Sequence, residues 1–172
     1  RSHVRARKDL VENRVAVANQ LRAHLRVVFP GAVGLFADID SPISLRFLER
    51  FPSATRAGWL SEKRLDAWLR ANGYCGRKHP AELYTRLTDA PAGLTGDEGD
   101  ARGAVTLAYV AILRALRAQI DELNTRLDEL LDAHPDAHIF QSLPRCATIR
   151  AATLLAEIGD CRARFPDPES LA

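Results

Sequence analysis

Methionine is absent from all 172 residues, lysine occurs three times (Lys8, Lys63, Lys78) among 24 basic residues, and cysteine three times. An odd, widely spaced set, Cys75, Cys146 and Cys161, contains no CxxC and gives no basis for a disulfide framework. Free thiols in a reducing compartment, the cytoplasm, are expected. No uninterrupted apolar run approaches the ~18 residues of a membrane span, and no signal-peptide pattern opens the chain, so no membrane partner is expected. Charge of one sign is also lacking. The net charge of +2 excludes general attraction to a polyanion, so any such role must lie in local charge. No GxSxG, Walker loop, HExxH or Gly-rich dinucleotide turn occurs, and no catalytic residue is expected. The missing methionine, and a helix opening at Pro168–Ala172 that is cut off in its first turns, lead to the expectation of a middle piece of a longer protein.

What is present is mostly helix signal in a globular composition, 47% apolar and 27% charged. Ser2 to Val28 has neither Gly nor Pro and stops at Phe29-Pro30-Gly31. Asp40-Ser41-Pro42 is a cap and first-turn proline for a short helix through Arg50. Ser61 to Asn72 carries Leu65, Trp68 and Leu69 on one face and ends at Gly73; His79-Pro80 opens another helix to about Asp89. Ala90 to Gly99 reads as an acidic, turn-rich mobile loop.

The longest pattern runs from about Ala101 to Ala133, with Pro135 as terminator. Tyr109, Leu113, Leu116, Ile120, Leu123, Leu127 and Leu130 alternate steps of four and three, the seam of a coiled coil. Leu107, Ala108, Ala111, Ile112 and Ala115 widen the apolar arc of the first half, which is expected to be buried in a bundle while the second half projects as a two-helix stalk. Arg1 to Arg14 is basic and Gln119 to Asp132 acidic, so an antiparallel hairpin would set opposite charges side by side, with the leucines supplying stability. The same seam could pair between two chains.

Several clusters invite a chemical reading. Asp38 and Asp40 could bind Mg²⁺, or Asp40 could cap the next helix. His134 and His138 have zinc-like spacing, but Pro135 interrupts the helix that would align them; Cys75 and His79 are a lone pair. No metal site is expected. Arg1, Arg5 and Lys8 could lie along phosphates, serve a solvated face or pair with the acidic stalk. The segment Leu143–Asp160, "LPRCATIRAATLLAEIGD", has the outline of a helix-hairpin-helix. Such a turn holds phosphate through backbone N–H groups at the positive end of a helix. Arg145, Thr148 and Arg150 are the candidate nucleic-acid contacts. Ala147, Ala151 and Ala152 offer a small-residue packing face, Leu154, Leu155 and Ile158 an apolar one, and Gly159 a stop. Arg145 and Ala147 would meet a steric cost at positive φ that glycine avoids.

Ile139 to Ala172, "IFQSLPRCATIRAATLLAEIGDCRARFPDPESLA", resembles the start of the C-terminal domain of DEDD-type insertion-sequence transposases, the bridge-RNA-guided recombinases. Phe36–Ser53, Trp59–Tyr74 and Leu116–Leu131 are similar to the family's middle region in order and spacing. The resemblance implies a longer enzyme with an N-terminal RuvC-like nuclease domain binding Mg²⁺ through four acidic residues, a helical region, and a C-terminal domain with a serine nucleophile. It implies DNA and a structured guide RNA as partners, and an oligomer. This stretch would lie between the catalytic parts and need no cofactor itself. At the turn the family commonly has glycine where this chain has Ala147.

The expected fold is all-α: a long antiparallel helical hairpin, a small helical bundle inserted between its arms, and a C-terminal helix-hairpin-helix-like segment. The expected divisions are 1–30, the first long helix; 31–100, the bundle and acidic loop; 101–135, the coiled-coil helix; and 136–172, the hairpin. The expected role is to dimerise the enzyme and space its catalytic domains, with some contact to DNA or RNA. The rivals are a free-standing helix-hairpin-helix nucleic-acid-binding module and an enzyme using Asp38 and Asp40.

Overall fold

A computed structural model describes residues 1–159. Among them every regular element is helical, and the eight α-helices follow the proline, serine and glycine signals closely. They are α1 (Ser2–Val28), α2 (Pro42–Arg50), α3 (Ala54–Ala57), α4 (Glu62–Ala71), α5 (Pro80–Thr88), α6 (Gly96–Asp132), α7 (Ala137–Gln141) and α8 (Thr148–Ile158), with a 3-10 turn at Pro30–Ala32. Serines 41, 53 and 61 open α2, α3 and α4 by accepting the amides of Ser44, Arg56 and Arg64. Ser41, not Asp40, is therefore the cap of α2. The imidazole of His79 accepts the Ala81 amide at the start of α5.

The described chain forms two compact units, one of Arg14–Ala115 and one of Arg1–Asn13 with the chain from Leu116 onward. The first is built on aromatic packing. Phe47, 1% exposed, meets Phe29, Phe36, Phe51 and Trp68 with ring centroids 5.0–6.3 Å apart. Burying a side chain of this size contributes about 1.5–3 kcal/mol. Leu21 and Leu25 of α1 and Val110 and Leu113 of α6 join the same core. His24 lies between these helices: Nε2 is 3.2 Å from the Arg102 carbonyl and 3.1 Å from Thr106 Oγ1, and its ring packs on Tyr109. Burial lowers the His24 pKa below 6.5, opposed by the bond to the Arg102 carbonyl and aided by the Arg102 charge.

Three expectations about α6 are corrected. The helix starts at Gly96, so the end of the supposed acidic loop is its first turn, with Asp97 and Glu98 against the positive end of the dipole. The buried stripe is Thr106, Val110, Leu113, Ile120, Leu127 and Leu131. Leu113, Ile120 and Leu127 belong to the expected seam and its Tyr109, Leu116 and Leu123 are half-buried, but the inward position passes from Tyr109 to Val110 and from Leu130, 51% exposed, to Leu131. The first half is not buried over a wide arc, because Val105, Leu107 and Ile112 are 40–47% exposed and Ala108, Ala111 and Ala115 are exposed as well. By length and composition alone α6 could also cross a membrane, with an 18-residue window of mean hydropathy 1.3. A core helix of a soluble protein passes the same test.

In the other unit Leu131, Ala137, Cys146 and Ala151 form a small core covered by Phe140, Leu154 and Leu155. Arg7 Nε donates to Asn124 Oδ1 at 2.6 Å, joining α1 to α6. The basic and acidic arms were expected to meet through charge; this bond goes instead to a neutral amide, while Lys8 pairs with Glu12 along its own helix.

Candidate nucleic-acid interface

The turn between α7 and α8 is set by small residues and backbone bonds. Ala151 is fully buried and Ala152 8% exposed, which lets α8 pack closely on α7; Ala147, expected on that face, is exposed. The Ser142 amide donates to the His138 carbonyl and the Cys146 amide to the Leu143 carbonyl, both at 3.1 Å, closing the turn. Arg145 sits at φ 60°, the only non-glycine residue with positive φ among the described residues. Ala147 is extended, φ −70° and ψ 165°, so the strain expected at both positions falls on Arg145 alone.

Ala147 stands at the N-cap of α8 without a side-chain acceptor, leaving the first-turn amides uncapped by any side chain. Its carbonyl accepts the amides of Arg150 and Ala151. Arg145 and Arg150 are exposed and Thr148 half-buried. Arg150 Nη1 donates to the Arg145 carbonyl at 3.0 Å, tying its guanidinium to the turn. The three residues singled out in the sequence thus lie together at the start of one helix, where backbone dipole and side-chain charge have the same sign. Gly159, at φ 73°, ends the helix.

The other candidates do not assemble. Asp38 is exposed, and its carbonyl accepts the Ser44 hydroxyl at 2.5 Å. Asp40 Oδ2 lies 3.3 Å from Arg14 Nε, ion-pair distance without hydrogen-bond alignment. His134 Nδ1 accepts the Asp136 amide, and His138 Nδ1 bonds the Pro135 carbonyl. Among the described residues no group of three or more His, Cys, Asp or Glu could hold a metal ion. Cys161 lies outside the described residues.

Arg1 was expected to serve phosphates, solvent or the acidic stalk. Its Nε and Nη2 donate instead to the Ala156 and Glu157 carbonyls, at 2.6 and 3.0 Å, placing a cation at the negative end of α8. A separation of 155 residues leaves no local pattern that could reveal this. Beside the contact is a cavity of about 570 Å³ bounded by Arg1, Val4, Leu127, Leu130, Leu131 and Leu155.

Residues 137–172 match the family "Transposase IS116/IS110/IS902 family", so the match begins with α7. The chain is similar to an insertion-sequence transposase. It is 33% identical over 181 residues to the "Mini-circle putative transposase for IS117" of Streptomyces coelicolor (strain ATCC BAA-471 / A3(2) / M145). That alignment covers 97% of this chain and 42% of the relative, so the transposase-like chain spans less than half of the curated protein it matches. No solved structure matches this chain.

Proposed function

We propose that this stretch belongs to a bridge-RNA-guided, DEDD-type transposase, in which it spaces the catalytic domains, supports dimerisation and touches DNA or guide RNA. The observation that carries the contact is the α7–α8 turn, where Arg145, Thr148 and Arg150 surround an uncapped helix start. Amides and guanidiniums there suit a phosphate oxygen. In this reading catalysis belongs to the longer protein, in the cytoplasm. Mg²⁺ would serve its nuclease-like domain, and a serine its C-terminal domain.

Gel shifts with duplex DNA and with structured RNA test the contact. Binding is expected to weaken with salt, and Arg145→Ala with Arg150→Ala together should weaken it about tenfold at low salt. Equal binding by parent and double variant removes the turn from the interface. Light scattering of the parent chain addresses assembly: a dimer is expected, and a monomer at high micromolar concentration overturns that part.

A further inference from the structure

Trp59 is 47% exposed. The other tryptophan, Trp68, packs edge-on against Phe47 and Phe51. Two guanidiniums are held at the Trp59 indole: Arg64, 5.0 Å from the ring centroid, and Arg50, 5.8 Å. Arg64 is also fixed by donating from Nη1 to the Trp59 carbonyl at 2.6 Å. Such contacts orient arginines without neutralising them.

Local charge is concentrated here. Residues 46–70 contain six basic side chains and three acidic ones, against a net +2 for the whole chain. Glu49 pairs outside the segment with Arg114, Asp66 pairs within it with Arg70, and Arg56 pairs with Asp100. Among the described residues Arg50, Lys63 and Arg64 form no ion pair.

We propose that Trp59, Arg50 and Arg64 form a docking surface for single-stranded nucleic acid, an unpaired base stacking on the indole and its flanking phosphates meeting the guanidiniums. The indole is held by Arg50, Arg64 and the Phe51 ring, 5.9 Å away, yet stays 47% exposed; an acidic peptide would answer the charge and make no use of that exposed ring surface. A duplex would meet the arginines but keep its base faces covered by its own stack. An unstacked nucleotide satisfies both parts. Its residues belong to the other compact unit from the α7–α8 turn, and the proposal does not rest on the contact proposed there.

The test uses the full chain carrying Arg145→Ala and Arg150→Ala, which separates the two surfaces, with labelled oligo(dT) and oligo(U) of 20 nucleotides and a 20-base-pair duplex. Single strands should bind more tightly than the duplex. Trp59→Ala should weaken their binding about tenfold and Trp59→Phe, which keeps a ring, clearly less. Arg50→Ala with Arg64→Ala should lower the log–log salt slope by about one to two. A second measurement needs no substitution at Trp59: with Trp68→Phe, oligo(dT) should quench the remaining indole fluorescence. The proposal is overturned if Trp59→Ala binds within twofold of its parent, if quenching is absent, or if Trp59→Ala disrupts self-association while leaving oligonucleotide binding intact.

Discussion

Arg145 concentrates the problem of the α7–α8 turn in one residue. A left-handed conformation costs a residue with a Cβ roughly 1–2 kcal/mol, and only this residue in the turn bears it. Arg145→Gly should therefore raise stability by about 1 kcal/mol, read as a higher melting temperature, while removing a cation from the proposed interface. Arg145→Ala should give no such gain, because the backbone problem remains. The turn's strain was legible from Pro144–Thr148, but its placement depended on Ala147 being extended, as the residue at the N-cap of α8. His24 provides a pH test. Its folded pKa is lowered, so the unfolded chain binds more protons just below pH 6.5. Stability contributed by neutral His24 is present above that pH and falls away as pH drops through 6.5 toward the folded value. Melting temperatures between pH 7.5 and 5.5 should decline less steeply in His24→Gln, whose amide can still donate to the Arg102 carbonyl.

Among the elements, helix existence was readable because prolines, serine caps and glycines mark the ends, as at Ser41-Pro42 and Gly73. α3 and the early start of α6 escaped that reading, the first for its four residues, the second because Gly96 and Gly99 resemble a turn. Which face of α6 is buried was harder. Adjacent residues such as Tyr109 and Val110, or Leu130 and Leu131, compete for one inward position, and hydropathy does not rank them. The winning stripe accepts Asn124 at half-burial because Arg7 supplies its hydrogen bond. Asn124→Ala should lower stability by about 0.5–1.5 kcal/mol in urea melts. Arg7→Leu with Asn124→Leu should recover most of that loss, since apolar replacement of both partners leaves neither group unsatisfied. Non-additivity between Arg7→Leu and Asn124→Leu, each measured singly and together, measures the bond.

At the scale of the molecule the two units differ in the cores formed by their described residues: one gathers eighteen buried apolar residues around Phe47, the other four around Ala151. Amide hydrogen exchange should show slower opening in α2 and α4 than in α7 and α8. Leu131→Ala is expected to cost about 2–5 kcal/mol of local stability, seen as faster exchange in α8. Such differences were not visible in the sequence, where apolar residues are spread evenly and only long-range pairings such as Arg1 with Ala156 decide what is enclosed.

The bond between Arg7 and Asn124 also determines how forgiving the pairing of α1 with α6 can be. Alanines and leucines alone would tolerate slippage, since one looks much like the next along a ridge. A displacement of α6 by seven residues one way would bring Arg7 level with Arg117, like against like. The other way it would face Leu131, stranding a charge on an apolar neighbour. Near Arg7 the two helices are thus keyed to one alignment, and a slip of one heptad in either direction strands the guanidinium.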